Sequence, residues 1–301
     1  MKQALLFALI GVASLGAGAQ VVEVQSVDKI TPASEVAINL SRISPDGSYV
    51  IVSTIDDNSL RRIDLATGAV TTVTDNGSAL DLAFSPAGEA IVYKSATVGE
   101  GGRRYYSVNS YDFTQNRATL ISEPARRSAW FNVSAAGTLA VSERGRYSAR
   151  SLNGNAAAPA AIVAVNHGHL EVTLPDGTSK FLDPQGKGSY LWPTLSPDGT
   201  KIAYYLVGHG CFVCNLDGSD IHSLGYVHAP RWLGNDVVIG CQDHDNGEYV
   251  TSSSIVAASL DGTIQTLTDP ALLGMSPSAS ADGKSISFAT ARGELYIITL
   301  K

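Results

Sequence analysis

The chain has 301 residues, of which 44% are hydrophobic and 16% are charged, and its formal net charge is −7 at pH 7. Because the charge is mildly acidic and no basic run occurs, nucleic acid and anionic membrane surfaces are not expected as partners. The 29 glycines favour many short strands joined by tight turns, and a chain of this length can bury a large core.

The N-terminal nineteen residues have the pattern of a secretory signal peptide. Lys2 is followed by an apolar stretch from Leu5 to Val12, and Ala17-Gly18-Ala19 forms an A-x-A cleavage site. We therefore expect cleavage near Ala19 and a single mature domain over residues 20–301. No later segment approaches the roughly twenty apolar residues of a membrane-spanning helix. The sequence predicts a periplasmic or secreted protein without a membrane span.

A phrase consisting of an apolar run, a Ser-Pro-Asp-Gly turn and a second apolar run recurs along the rest of the chain. Complete or weaker versions begin at Ile43, Phe84, Val133, Leu195, Arg231 and Ser280. Recurrence at roughly 40 to 60 residues is typical of an array of similar units. Proline fixes φ at the first corner of the turn, and glycine accepts a positive φ at its end. We interpret the motif as a structural turn and not as an active site.

Each unit is predicted to contain four strands, here called A to D. In the fourth unit they begin at Trp192, Lys201, Cys211 and Asp220. The A–B turns number six and lie near Asp46, Ala87, Ala136, Asp198, Asn235 and Asp282. The last unit has only three strands, and the mature N-terminal segment from Val21 can supply the fourth strand and close the ring.

The predicted fold is therefore an all-β, six-bladed β-propeller of four-stranded blades, in which an N-terminal strand completes the last blade. One stretch fits this scheme badly. Between Ser142 and Ile162 the third unit is too long for one blade and too short for two. A ring of seven blades is therefore the alternative.

The strings SPDGTKIAYY, SPDGSYVIVS and ADGKSISFAT resemble the TolB-type, WD40-like propeller repeat, and this resemblance covers essentially the whole mature chain. It implies a protein-binding platform. The sequence contains no G-x-S-x-G string, which the hydrolases that carry similar propellers use for their nucleophile. We therefore expect a non-catalytic exported scaffold whose partner is another exported or envelope protein or a peptide, and we assign no catalytic residue.

The binding surface of such a propeller is expected on the face that carries the B–C loops and the entries to the A strands. Nine residues are predicted to contact a ligand or partner there: Trp130, Tyr190, Trp192, His209, His228, Arg231, Asp243, His244 and Asp245. The histidines and aspartates belong to the fourth and fifth units and could hold a divalent cation, although no other cofactor is expected. The alternative function is therefore a carbohydrate-active or metal-assisted lyase or hydrolase, or a glycan-binding protein, which would use this His/Asp rim.

The three cysteines are Cys211, Cys214 and Cys241. An exported protein meets oxidising conditions, so the sequence allows one disulfide with one remaining thiol. Cys211 with Cys241 is the favoured pair, and buried structural thiols are the alternative.

Overall fold

The computed structural model describes residues 20–55, 59–152, 154 and 157–301, so the predicted signal peptide lies outside the described residues. Within these ranges the chain forms seven antiparallel sheets that follow one another around a central channel. The predicted all-β propeller is confirmed. The ring has seven blades, so the predicted number of six is wrong and the stated alternative is correct. No helix in the described part of the chain is long and apolar enough to cross a membrane.

The strands are numbered in chain order, and β1 (Val24–Ile30) precedes the first blade. Blade one contains β2 (Ile38–Ile43), β3 (Tyr49–Thr54), β4 (Leu60–Asp64) and β5 (Val70–Thr74). Blade two contains β6 (Ser78–Phe84), β7 (Ala90–Val98), β8 (Arg104–Asp112) and β9 (Arg117–Ala125). Blade three contains β10 (Trp130–Val133), β11 (Thr138–Glu143) and β12 (Arg146–Ser151), and blade four contains β13 (Ile162–Asn166), β14 (His169–Thr173) and β15 (Ser179–Leu182).

Blade five contains β16 (Tyr190–Leu195), β17 (Lys201–Leu206), β18 (Gly210–Asn215) and β19 (His222–Gly225). Blade six contains β20 (His228–Leu233), β21 (Val237–Asp245), β22 (Val250–Ser259) and β23 (Ile264–Thr266). Blade seven contains β24 (Gly274–Ala279), β25 (Ser285–Thr290) and β26 (Leu295–Leu300), together with β1. Two short 3₁₀ helices occupy Glu100–Gly102 and Pro270–Leu272.

The propeller has two distinct faces. The turn face carries the A–B turns, including residues 44–47, 196–199 and 280–283. The loop face carries the B–C turns, such as residues 207–209, and the entries to the innermost strands. On the turn face Asp46 accepts hydrogen bonds from Ser44 Oγ (2.7 Å) and Ser48 N (3.1 Å), and Gly47 has a φ of 72°. Partial burial of Asp46 opposes its ionisation, but these hydrogen bonds hold its pKa below the usual value.

The seventh blade arises because blades three and four have three strands each. An antiparallel blade with an odd number of strands ends on the face opposite to the one where it began. The chain therefore leaves β12 on the turn face, where Leu152 N donates to Gly137 O (2.8 Å) and Ala158 N donates to Thr138 Oγ1 (2.8 Å). Strand β13 starts there, and its blade lacks the A–B turn by which the other units were counted.

Strand β13 is consequently antiparallel to β10 and β16, the innermost strands of the two adjacent blades. Its start lies on the turn face, because Ala161 O accepts a hydrogen bond from Asn132 Nδ2 (3.0 Å). Its end lies on the loop face, where Arg127 donates to Asn166 Oδ1 (2.7 Å) and Tyr190 N donates to Gly168 O (2.9 Å). A second three-stranded blade restores the original direction, so β16 again enters from the loop face.

The predicted closure by the N-terminal segment is confirmed. Strand β1 pairs with β26 from Val24 to Ile30, and the sheet order of blade seven is β1-β26-β25-β24. Ile30 is buried in a hydrophobic cluster that also contains Ile38 of blade one and Leu295 of blade seven. Lys29 forms an ion pair with Glu294 at 2.6 Å. The strand therefore joins the two ends of the ring.

Candidate functional site

A cluster of aromatic and titratable side chains lies on the loop face between blades five and six. We call it the rim cluster, and it consists of Trp192, Tyr205, Tyr226, His228 and Asp243. The His228 ring centroid is 4.4 Å from each tyrosine ring and 5.6 Å from the Trp192 ring. Three of the five members were predicted from the sequence, and Tyr205 and Tyr226 were missed.

His228 and Asp243 form the polar centre of the rim cluster. His228 Nδ1 is 2.6 Å from Asp243 Oδ1, and both side chains are about four-fifths buried. Asp243 Oδ1 is a buried oxygen that accepts no hydrogen bond from the described residues, although it lies this close to the imidazole. The pair therefore retains an acceptor that a bound polar group could fill.

Backbone irregularities in the innermost strands help to position the cluster. Trp192, Ala229 and Ser276 occupy equivalent places in β16, β20 and β24, and their φ angles are 49°, 49° and 50°. Each precedes a proline, and each strand shifts its register at this point. A bulge of this kind bends a strand and re-aims its side chains. It turns Trp192 and His228 toward each other at the channel mouth.

The tyrosines of the rim cluster are held in their neutral form. Burial, reinforced by the nearby Asp243 carboxylate, raises the pKa of Tyr226 to about 12. The same two causes raise the pKa of Tyr205. Both phenols therefore keep their protons at neutral pH, and the exposed Tyr226 can present its hydroxyl group as a donor to a ligand.

Other predicted residues lie apart from this cluster. His209, His244 and Asp245 are exposed on the B–C hairpins of blades five and six. Among the residues that the structure describes, no three His, Cys, Asp or Glu side chains are grouped so that they could hold a metal ion. Tyr190 was expected on the loop face but is fully buried, and its hydroxyl donates to Gly186 O (2.9 Å). It belongs to the core of blades four and five.

Arg231 also lies deeper than predicted. It lines a cavity of about 510 Å³ in the central channel, together with Arg42, Lys94, Trp130 and Trp192. Arg42 is 5% exposed and was not singled out from the sequence. Trp192 contributes both to this cavity and to the rim cluster, so the two sites are continuous.

A basic depression adjoins the cavity on the side of blades two to four. Lys94 lies over the Trp130 ring at 4.1 Å and contacts Asp81 at 3.3 Å. The depression continues outward from these residues to Arg126 and Arg127. Trp130, which was predicted from the sequence, therefore forms a wall between the basic depression and the channel.

The predicted Cys211–Cys241 disulfide is not formed. All three cysteines are free and buried. Cys211 packs between blades five and six, whereas Cys241 packs between blades six and seven. The body of blade six separates the two thiols. Burial raises the pKa of the Cys211 thiol to about 12 and that of the Cys241 thiol to about 11.

We expect the three thiols to be unreactive in the folded protein and free once it is unfolded. A buried neutral thiol is a poor nucleophile because only the thiolate attacks. The measurement is titration with Ellman's reagent on protein purified without reductant. Native protein should release almost no thionitrobenzoate, and denatured protein should release three equivalents per chain. One equivalent in denaturant would instead indicate a disulfide and a different packing of blade six.

No protein-family model matches the chain, and no curated protein matches its sequence. A chain in the crystal structure of the mitotic checkpoint complex is similar with a TM-score of 0.60 and 13% identity, over 97% of this chain and 100% of that chain. An oligogalacturonate lyase from Vibrio parahaemolyticus is similar with a TM-score of 0.50 and 10% identity, over 92% and 95%. An oligogalacturonate lyase in complex with manganese has a TM-score of 0.48 and 15% identity, over 87% and 76%.

At these identities the comparisons show the β-propeller fold and no function. The TolB-type relationship therefore stays a prediction from the repeat.

Proposed function

We propose that this protein is an exported, non-catalytic β-propeller that binds a protein or peptide partner on its loop face. The observation that carries the proposal is the distribution of exposed apolar side chains. Of the nine exposed large hydrophobic residues in the described ranges, six lie on this face: Ile55, Leu80, Val98, Val207, Tyr226 and Tyr249. Apolar surface concentrated in this way is typical of interaction sites.

The charges on the same face indicate an acidic partner segment. Six exposed arginines lie around the loop-face edges of blades two and three: Arg103, Arg104, Arg126, Arg127, Arg144 and Arg146. This basic region contrasts with the net charge of −7 for the whole chain. Such a charge distribution steers an oppositely charged partner to one side of the molecule. The occupant that we propose is therefore a segment rich in Asp and Glu with a few apolar or aromatic anchors.

Two long hairpins frame the binding surface. Strands β7 and β8 have nine residues each, and β21 and β22 have nine and ten, whereas the second strands of the other blades have five or six. Blades two and six stand three places apart in the ring of seven. The hairpins therefore rise on nearly opposite sides of the channel mouth, and a partner segment would lie between them.

The test is affinity capture of an envelope partner, followed by calorimetry with the purified partner. We expect Tyr226→Ala and the double variant R126E/R127E each to weaken binding by about tenfold or more. The matched controls are Phe181→Ala and Lys180→Glu on the outer strand β15, where Phe181 is also exposed. The controls should bind as the wild type does. A partner that is lost with the β15 variants and retained by the loop-face variants would place the interface elsewhere.

A second candidate function is supported by the His228–Asp243 contact at 2.6 Å beside three aromatic rings. A paired imidazole and carboxylate can act as general acid and base, and the rings could stack on sugars. This candidate is a carbohydrate-active enzyme or a glycan-binding protein. A test incubates wild type and Asp243→Asn with oligosaccharides, beginning with oligogalacturonate because the similar structure from Vibrio parahaemolyticus is named as an oligogalacturonate lyase. Turnover by the wild type that is lost in a folded Asp243→Asn protein would favour the enzyme.

A further inference from the structure

Polar residues from five of the seven blades line the central channel at a single level of the propeller, and we call them the polar ring. It consists of Arg42, Asn132, Thr194, Arg231 and Ser278, all of which line the channel cavity. Each of these residues lies on an innermost strand opposite the third residue of the next strand, as Arg42 does with Ile51 and Arg231 with Ile239. The other three have the same register with Ala140, Ala203 and Ser287. Two blades thus place a guanidinium group at one level of the channel.

The two guanidinium groups have few partners within the protein. Arg42 Nη1 donates to the carbonyl of Ser41 (2.9 Å), and Arg231 Nη1 donates to the carbonyl of Pro230 (3.1 Å). Each contact is to the preceding residue of the same strand and supplies no negative charge. Arg42 is 5% exposed, and its Nε has no hydrogen-bond partner among the residues that the structure describes. Buried donors of this kind are normally satisfied.

The charges that line the cavity do not balance. Among the described residues that line it, three cations, Arg42, Lys94 and Arg231, face one carboxylate, Asp81. That carboxylate is already in contact with Lys94 at 3.3 Å. The channel therefore holds an excess of two positive charges inside a protein whose overall charge is negative. Burial, and secondarily repulsion by Arg231, lowers the pKa of Arg42 well below its usual value, and the attraction of Asp81 offsets this only in part, which agrees with an incompletely compensated cation.

We propose that the channel binds an oxyanion between Arg42 and Arg231. A carboxylate or a phosphate has oxygen atoms that match the planar donor fork of arginine, and burial strengthens such charge-assisted hydrogen bonds. Asn132, Thr194 and Ser278 complete the ring with neutral polar groups that can turn toward the bound oxygens. The cavity and the basic depression share Asp81, Lys94 and Trp130 in their linings, so the arginines of the depression lie beside the channel and favour the approach of an anion.

The oxyanion has two sources that share this chemistry. It is either the carboxylate of an acidic partner segment, in which case the inference rests on the proposed function, or a free small anion such as phosphate. Trp130 and Trp192 line the cavity and are two of the three tryptophans in the chain. Intrinsic tryptophan fluorescence therefore reports on occupancy from either source.

The experiment titrates the mature protein with inorganic phosphate, with malonate and with a hexaglutamate peptide at constant ionic strength. Calorimetry and tryptophan fluorescence are recorded for wild type, R42Q, R231Q and the control R117Q, because Arg117 is exposed at the start of the outer strand β9, on the turn face. We expect saturable binding of at least one probe by the wild type and R117Q, and binding at least about tenfold weaker for R42Q and R231Q. R42K and R231K keep the positive charge but lack the planar donor fork of arginine, so their affinity for the probe should be intermediate.

Each outcome decides the inference. A wild-type protein that binds none of the three probes would overturn it, and so would R42Q and R231Q proteins that bind as tightly as the wild type. Binding of hexaglutamate that R126E/R127E abolishes while R42Q leaves it unchanged would retain the proposed function and reject the channel site. Hexaglutamate binding that R42Q abolishes and R126E/R127E leaves unchanged would retain the channel site and reject the proposed binding surface. Circular dichroism checks that each variant is folded. If R42Q does not fold, R231Q provides the test of the channel site.

Discussion

Replacing Arg42 with methionine should raise the free energy of unfolding of the ligand-free protein by about 1–3 kcal/mol, while it abolishes oxyanion binding. Arg42 is 5% exposed, and within the described ranges it forms no ion pair with a carboxylate and its buried Nε has no acceptor. Uncompensated buried charge is costly, and replacing buried ionic groups by apolar side chains of similar size is often stabilising. Methionine keeps most of the volume of the arginine stem. Urea unfolding in a buffer without phosphate measures the change.

Measuring the free energy of unfolding with and without a bound anion separates the two roles of Arg42. A ligand that binds only the folded state stabilises it by about 2.7 kcal/mol at a hundred times its Kd. The wild-type protein should therefore gain stability as phosphate is added, and Arg42→Met should not. Arg117→Met, on the exposed outer strand β9 of blade two, should leave both curves unchanged. A loss of stability for Arg42→Met without phosphate would mean that Arg42 contributes to packing and that its charge is compensated.

The second large effect concerns closure of the ring. Ile30→Ala is expected to lower the free energy of unfolding by about 2–4 kcal/mol, because it leaves a cavity in a well-packed core. Ile30 is 4% exposed and packs with residues of both blade one and blade seven. The exposed Gln25→Ala on the same strand is the matched control and should change stability by less than about 0.5 kcal/mol. Denaturant unfolding followed by tryptophan fluorescence gives both values.

Loss of closure also has a readout other than stability. When β1 leaves β26, the edge of blade seven presents unpaired backbone groups on which another chain can add. Ile30→Ala should therefore show concentration-dependent association by size-exclusion chromatography at temperatures below its unfolding midpoint. A variant that unfolds early and stays monomeric would indicate that β26 is covered without β1.

The blade count shows which part of the fold was readable from the sequence. All six A–B turns, including those near Asp46 and Asp198, lie where they were predicted. The error arose because the sequence signal belongs to the A–B turn, and blade four has no such turn. Its first turn is instead formed by His167 and Gly168, both with positive φ. A two-residue hairpin of this kind looks the same in any antiparallel sheet, so it does not identify a blade.

The site was predicted less completely than the fold, for reasons that particular residues make plain. His228 and Asp243 were predicted because their side chains are titratable, and the topology of blade six brings them together. Tyr205 was missed because it lies within an apolar strand B, where an aromatic residue usually indicates core. Arg42 becomes visible only when the innermost strands are aligned by their hydrogen-bond register with Arg231. Tyr190 was wrongly predicted to be available to a ligand, because the first residue of a strand A can pack into the core.

The pair of three-stranded blades also determines where the architecture tolerates change. Duplication or deletion of one three-stranded blade would reverse the direction of every strand that follows it. Duplication or deletion of both three-stranded blades together would leave those directions unchanged. The connection from β12 to β13 begins and ends on the turn face, while the other blade-to-blade connections lie on the loop face. A fluorescent domain or a pair of new chain termini introduced into this connection would therefore stand away from the channel mouth and leave it open to a ligand.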